Sequence, residues 1–179
     1  VVMLPSRMLW DKGVGEFINA AKLLKKKGIN AQFVLVGDCD PENPSSINYE
    51  QLKEWHELGI VEWWGEKTKM HKILSQAHII CLPSYIEGLP KVLLEAASCS
   101  RPIIASDVPG CREIVKDGEN GILVPSKDYN SLARSINELI NNPEKRQNMG
   151  RNGRALVERN FSEEIIVLET IKLYQILLV

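Results

Sequence analysis

The residues best suited to chemistry lie in the run Glu87–Glu95, which reads E-G-L-P-K-V-L-L-E. It follows the apolar run Ile79–Pro83, which predicts a buried strand, and it turns into a predicted helix that starts beyond the carboxyl end of that strand. Carboxylates accept hydrogen bonds from hydroxyls, and free N–H groups at a helix start favour anions. The two glutamates, with the N–H groups near Gly88 and Leu89 between them, therefore suit a ligand that carries both a diphosphate and sugar hydroxyls.

Both glutamates also fit a plainer structural role. Glu95 lies four residues after Lys91 and could form an ion pair along the helix. Glu87 could lie near a helix start simply because negative charge is favourable there. From the residues alone, both interpretations stay open.

A second set of polar residues, Ser6–Gly13, follows the first predicted strand and opens the first predicted helix. Arg7 could grip phosphate oxygens through its planar fork, and Lys12 could add a point charge. Hydrogen bonds to charged groups contribute about 1.5–3 kcal/mol, against about 0.3–1 kcal/mol for a helix dipole. If a diphosphate binds here, these two side chains outweigh the dipole. The alternative is a solvated Arg and Lys on a loop.

Other residues that follow the predicted strands have a functional interpretation, a structural one, or both. Trp64 and Glu66 could shelter a nucleotide base, although a paired Trp such as Trp63-Trp64 more often packs in a core. Asp38 could lie near a ribose or simply end a strand, and Asp107 is predicted to cap the short helix that follows it. The sequence contains neither G-x-G-x-x-G nor G-x-x-x-x-G-K-[ST], so the common dinucleotide and P-loop interpretations lose support.

The composition is that of an ordinary globular protein, with 179 residues, 44% hydrophobic, 25% charged and a net charge of −1. Such a balance gives no global field that would recruit nucleic acid or an acidic membrane. Four scattered cysteines without a C-x-x-C pair, together with three histidines, offer no zinc spacing. We therefore expect reduced thiols, no metal site and a cytoplasmic protein. No signal peptide or transmembrane stretch is recognisable, and the start without Met suggests a piece of a longer protein.

Apolar runs alternate with helical patterns, which predicts a doubly wound α/β domain: a parallel sheet with helices on both faces. The predicted strands are apolar throughout, as expected for burial on both sides. They cover Val1–Pro5, Gln32–Val36, Val61–Trp64, His78–Leu82, Pro102–Ala105 and Ile122–Val124. The predicted helices cover Gly13–Lys27, Ile47–Leu58, Lys67–Gln76, Pro90–Ser98, Cys111–Val115, Asn130–Asn141, Glu144–Asn160 and Ser162–Leu178. Sheets of this kind bind ligands beyond the carboxyl ends of their strands.

Four ordered motifs together resemble the C-terminal, donor-binding half of a family 4 retaining glycosyltransferase of the GT-B fold. The resemblance covers nearly the whole chain and is specific for the family but only weakly specific for the sugar. The motifs are S-R-x-x-x-x-K-G at Ser6–Gly13, P-S-x-x-E-G-L-P-x-x-x-x-E-A at Pro83–Ala96, P-I-I-A-S-D-V-P-G at Pro102–Gly110 and D-G-E-N-G-I-L-V at Asp117–Val124.

The resemblance implies that residues 1–179 form a Rossmann-like domain that binds a nucleotide sugar, a donor substrate rather than a cofactor. The N-terminal acceptor domain would be absent from this sequence. The implied activity is hexosyl transfer, with retained configuration, to a polysaccharide, a lipid-linked glycan or another glycoconjugate. The isolated piece would be inactive, and the full-length enzyme could associate with the cytoplasmic face of a membrane. Nucleic acid is not an expected partner.

The same resemblance implies a role for each site residue. Glu87 would contact hydroxyls of the donor sugar, and Glu95 would bind the ribose. Arg7 and Lys12 would hold the diphosphate without a metal, and with Glu87 they are the catalytic candidates. The remaining members complete the phosphate cradle or lie against the base: Gly88, Leu89, Trp64 and Glu66.

The chain departs from the family pattern in ways that leave the donor open. Pro90 stands where many members carry Gly, which removes one N–H donor, and Asp38–Ser46 lengthens a loop that is often short. The D-x-x-N-P run at Asp40–Pro44 is similar to members that build lipid-linked repeat units, often from a UDP-linked hexose or N-acetylhexosamine. Two other functions stay open: a nucleotide-sugar epimerase or hydrolase of the same fold, and a non-catalytic receiver-type module with Asp38 as phosphoryl acceptor.

Overall fold

The structure, a computed structural model, describes residues 1–177 and contains one six-stranded sheet. All strand pairs are parallel, and the strand order is β3-β2-β1-β4-β5-β6. Each of the four central strands is buried along its whole length, as the uniformly apolar runs predict. The strands are β1 (Val2–Pro5), β2 (Phe33–Val36), β3 (Glu62–Trp63), β4 (Ile79–Leu82), β5 (Ile103–Ser106) and β6 (Gly121–Val124).

Helices cover both faces of this sheet, which confirms the predicted doubly wound α/β fold. Neighbouring strand residues point to opposite sides: Leu4 packs in one buried cluster with Phe17, and Met3 packs in a second cluster with Leu93. The helices are α1 (Val14–Lys26), α2 (Tyr49–Glu57), α3 (Met70–Leu74), α4 (Lys91–Ser98), α5 (Pro109–Ile114), α6 (Tyr129–Asn141), α7 (Pro143–Asn160) and α8 (Glu163–Leu177). Helices α1, α2 and α6 contribute to the first cluster and α3, α4 and α5 to the second, while α7 contributes Met149 to the first and Leu156 and Val157 to the second.

The strand order reverses between β1 and β4, which pair on the edge of β1 opposite to β2. The chain leaves β1 towards one face and leaves β4 towards the other, because α1 and α4 lie in different clusters. Loops that diverge in this way open a crevice at the carboxyl end of the sheet. The candidate site is therefore expected between the loops after β1 and β4.

Polar side chains cap the starts of three helices, whereas α1, α3 and α4 have no side-chain cap. Asn48, Asp128 and Asn142 accept hydrogen bonds from backbone N–H groups at the starts of α2, α6 and α7. The prediction that Asp107 caps α5 is wrong, because α5 begins after Val108 and the Asp107 carboxylate instead accepts a hydrogen bond from Arg112 Nε at 2.5 Å. That bond, followed by the charge of Arg112, lowers the pKa of Asp107.

Helix α8 contributes no buried residue among those that the structure describes. Apart from the partly buried Ile165, its large apolar side chains are exposed, from 46% for Ile171 to 73% for Ile176. The predicted end of this helix, Leu178, lies outside the described residues. Within residues 1–177, no helix combines the length and the apolarity that crossing a bilayer requires.

Candidate functional site

A cavity of about 450 Å³ opens at the carboxyl ends of β1 and β2 and reaches the first turns of α4. Helix α4, which follows β4, forms one wall of this cavity, but no residue of the loop between β4 and α4 lines it. The cavity therefore lies on the β2 side of the crevice that the strand order predicts. Its charged lining combines three cations with four acids, drawn from the loops after β1, β2 and β3 and from α4. These residues are Arg7, Lys67 and Lys91, and Asp38, Asp40, Glu66 and Glu95.

The loop after β1 is held against the loop after β4 by a glycine contact. Gly13 has φ +72, and a Cβ at this position would lie 2.1 Å from the carbonyl oxygen of Pro83. The backbone therefore needs glycine here both for its left-handed conformation and for the close approach. The N–H group of Tyr85 donates to the carbonyl oxygen of Asp11 at 2.8 Å and joins the same two loops.

This contact brings together two of the predicted site residues. The ammonium of Lys12 donates to Oε1 of Glu87 at 2.8 Å, with the two side chains only 20% and 11% exposed. The pair leaves two donors of the ammonium and one carboxylate oxygen for a ligand. Burial, followed by the negative charge of Glu87, raises the pKa of the adjacent Cys111 thiol to about 12, so this thiol stays protonated near neutral pH.

Arg7, the other predicted phosphate ligand, lies at the rim of the cavity. Its Nη1 donates to Oδ2 of Asp40 at 2.7 Å, and the side chains are 60% and 29% exposed. One of the five guanidinium donors is used in this contact. Sequence reasoning did not identify Asp40 as a site residue. The available signal was the D-x-x-N-P run directly after β2.

Glu95 lines the cavity from α4, directly before the fully buried Ala96 and Ala97. The alternative ion pair with Lys91 does not form, since the structure, which describes both side chains, brings no Lys91 nitrogen within 4.0 Å of the carboxylate. Both side chains instead face the cavity. Lys91 is a cation of the cavity that the sequence analysis did not assign to the site.

Gly88 and Leu89 form the exposed turn before α4, and nothing lies within 4 Å of where a Cβ on Gly88 would stand. Their N–H groups donate to no acceptor among residues 1–177. These groups are therefore open to an anion, as the sequence suggests. They lie outside the lining of the 450 Å³ cavity, as do the predicted site residues Lys12 and Glu87.

The loop after β3 contributes differently from what the sequence predicts. Glu66 lines the cavity together with Lys67, which agrees with the expected position of this loop. Trp64 does not line it: the indole packs on the second buried cluster, and its Nε1 donates to Glu62 at 2.9 Å. The core-packing alternative thus describes Trp64, because the buried sheet face offers the indole an apolar surface and Glu62 satisfies its N–H.

Comparisons with known proteins identify the class. A family model described as "Glycosyl transferases group 1" matches residues 1–156. A Campylobacter jejuni enzyme, N,N'-diacetylbacillosaminyl-diphospho-undecaprenol alpha-1,3-N-acetylgalactosaminyltransferase, is 36% identical over 97% of this chain and 44% of its own length. The chain therefore belongs to the group 1 glycosyltransferase family.

Solved structures agree with this assignment. A Thermosynechococcus elongatus sucrose-phosphate synthase superimposes with a TM-score of 0.84 and 31% identity, covering 99% of this chain and 45% of that one. The Anabaena protein HepE, solved with UDP, has a TM-score of 0.84 over 99% of this chain and 48% of its own. At 22% identity this second likeness shows the fold alone. The chain spans about half the length of these relatives and has the Rossmann-like fold of one half of a GT-B glycosyltransferase.

Family membership also excludes one of the alternative functions that the sequence left open. A receiver-type module with Asp38 as phosphoryl acceptor is not what this family contains, so that interpretation is wrong. The epimerase or hydrolase alternative shares the fold and differs in the fate of the sugar.

Proposed function

We propose that this chain is the donor-binding domain of a retaining glycosyltransferase and binds a nucleotide-diphosphate sugar, with UDP as the expected nucleotide. The observation that carries the proposal is the convergence of Arg7, Glu66 and Glu95 on one cavity at the carboxyl ends of β1 and β2. The Lys12–Glu87 pair lies outside the lining of that cavity, between the loops after β1 and β4. The placement of cations, acids and free N–H groups matches the two chemistries of such a ligand, an anion and a set of hydroxyls.

In this proposal the diphosphate lies between Arg7 and Lys12. Departure of the nucleoside diphosphate builds negative charge on its terminal phosphate, and preorganised cations stabilise that charge most in the transition state. Each cation keeps unused donors, because Arg7 gives only one bond to Asp40 and Lys12 one to Glu87. The N–H groups near Gly88 and Leu89 would complete the cradle.

Glu95 and Glu87 are proposed to bind different hydroxyl groups of the donor. Glu95 would accept hydrogen bonds from the ribose inside the cavity, and Glu87 would orient the donor sugar from the loop before α4. The hydrogen bond from the Lys12 ammonium fixes the direction of the Glu87 carboxylate. Glu87 is therefore proposed as a positioning carboxylate, and no covalent intermediate on it is implied. The base would lie towards Glu66 and Lys67.

The acceptor is proposed to bind to a separate domain, as in the family that the sequence resembles. Curated relatives act on lipid-linked or polysaccharide acceptors: the Campylobacter jejuni enzyme carries undecaprenol in its name, and a Staphylococcus aureus relative, 29% identical over 97% of this chain, is named for capsular polysaccharide biosynthesis. We propose a comparable acceptor for the whole protein, with catalysis at the cytoplasmic face of a membrane. The isolated chain would bind nucleotide but transfer nothing.

Isothermal titration of the chain with UDP, GDP and ADP, and with uridine alone, tests the proposal. We expect a nucleoside diphosphate to bind, and Arg7→Gln and Lys12→Gln each to weaken it by about 10-fold or more. Uridine binding should change by less than about twofold, because these side chains face only the phosphates. Equal losses for UDP and uridine would contradict the assigned roles.

An activity assay of the longer enzyme distinguishes transfer from the alternative function. Release of free sugar or of an epimer in place of transfer would favour a nucleotide-sugar hydrolase or epimerase.

A further inference from the structure

We propose that Asp40 is the resident counter-ion of Arg7 and that it selectively weakens binding of the free nucleoside diphosphate relative to the sugar-bearing donor. Asp40 thereby favours release of the product after transfer. The inference rests on the proposed function, because it requires the diphosphate to lie at Arg7.

The position of Asp40 is fixed by its loop. The segment from Asp38 to Ser46 is hydrogen-bonded to the loop after β1: Met8 N–H donates to Asp38 O at 2.9 Å, and Trp10 N–H donates to Ser45 O at 2.8 Å. Within the segment, the N–H of Asp40 donates to Ser46 Oγ at 3.0 Å. The backbone that carries the Asp40 carboxylate is thus tied to the backbone that carries Arg7. The two side chains meet because of this scaffold and not through a chance surface contact.

The contact geometry makes Asp40 a competitor that a ligand can displace. The carboxylate takes one donor of Arg7, at 2.7 Å, and both residues line the cavity. Arg7 is 60% exposed, and solvated ion pairs of this kind are weak. A diphosphate can therefore take over the guanidinium, but it must do so next to a negative charge that remains in the cavity.

The penalty depends on the charge of the ligand. The terminal phosphate of a nucleoside diphosphate has a second ionisation near pH 6, so at neutral pH it carries one more negative charge than the same phosphate esterified to a sugar. Repulsion by Asp40 scales with that charge. Product is consequently penalised more than donor, which is the direction that assists turnover.

Titration calorimetry of the chain with UDP and with UDP-N-acetylglucosamine at low ionic strength measures this selectivity. For Asp40→Asn, the dissociation constant of UDP should fall by about 3- to 10-fold, and that of the sugar nucleotide by no more than about twofold. Added salt should reduce the difference, because screening weakens the repulsion. Asp40→Ser should act in the same direction, and Asp40→Glu should return the affinities towards those of the unmodified chain.

Glu42→Gln is the matched control, since Glu42 lies in the same loop, is exposed and does not line the cavity. It removes the same charge and should leave the ratio of the two affinities unchanged. Weaker or unaltered UDP binding by Asp40→Asn and Asp40→Ser overturns the inference, and so does an equal gain for both ligands. These outcomes leave the proposed function standing. Failure of the unmodified chain to bind either ligand overturns the proposed function, and the inference with it.

Discussion

Lys12 and Glu87 are separated by 75 residues in the sequence and meet at 2.8 Å in a largely dry position between two loops. A local pattern cannot reveal such a pair, because neither residue's neighbours indicate the other. What the sequence does provide is the placement of each residue between a buried strand and the helix that follows it. Parallel strands bring those positions to one edge of the sheet, and the Gly13 contact brings them into hydrogen-bonding distance.

Removing one charge of the Lys12–Glu87 pair should cost more stability than removing both. Glu87→Gln leaves a half-buried ammonium without its counter-charge and should lower the free energy of unfolding by about 1–3 kcal/mol. Adding Lys12→Met should recover part of that loss, because the uncompensated charge is removed. Urea unfolding of Glu87→Gln, of Lys12→Met and of the double variant measures these effects. A double variant at least as unstable as the sum of the single variants would show that the pair does not act as a unit.

Cys39 offers a direct probe of the cavity, because it is a lining residue with a partly exposed thiol. Burial, followed by the charge of Asp38, raises its pKa, so labelling needs mildly alkaline conditions. We expect a small thiol reagent to modify Cys39 and Cys99 in the folded chain, while the buried Cys81 and Cys111 stay protected. UDP should slow modification of Cys39 and leave Cys99 unaffected, as followed by peptide mass spectrometry. Unchanged Cys39 labelling at saturating UDP would place the nucleotide elsewhere.

At the scale of elements, every predicted strand and helix is present within the described residues. The largest shift is at the start of α3, predicted at Lys67 and found at Met70. Continuous apolar runs identify strands well when both faces of the sheet are buried. The start of α2 is predicted at Ile47 and found at Tyr49, because the prediction does not use the Asn48 cap. The cap prediction at Asp107 fails because its carboxylate binds Arg112, five residues later, instead of a backbone N–H group of α5. The residue type alone does not show which of these donors the carboxylate binds.

Gly13 is the position where local backbone geometry and the site are coupled. Gly13→Ala must adopt φ +72 and place its Cβ 2.1 Å from a backbone oxygen. Gly28→Ala is the matched control, with φ +75 and nothing within 4 Å. The control should cost about 1–2 kcal/mol of stability, and Gly13→Ala a further 1–3 kcal/mol or so from the clash. Thermal unfolding and UDP titration of both variants test this prediction. Only Gly13→Ala should also lose nucleotide affinity, and equal stability and UDP affinity in the two variants would refute the coupling.

At the scale of the whole molecule, helix α8 is notable because none of its described residues is buried. Its exposed apolar side chains form a surface that water solvates poorly, and Ile171 and Tyr174 are 46% and 61% exposed. We expect the isolated chain to self-associate as its concentration rises. Combined Ile171→Glu and Tyr174→Glu substitutions should suppress that association, whereas Gln175→Glu, which adds charge at a polar exposed position, should not. Sedimentation velocity distinguishes these outcomes, and a chain that stays monomeric at high concentration would contradict the expectation.

The most direct measurement is a crystal structure of this chain with UDP bound. The account predicts diphosphate oxygens within hydrogen-bonding distance of the Arg7 guanidinium and the Lys12 ammonium, ribose hydroxyls on the Glu95 carboxylate, and the base towards Glu66. A nucleotide seated away from the carboxyl ends of β1 and β4, or one whose phosphates contact neither cation, would contradict it.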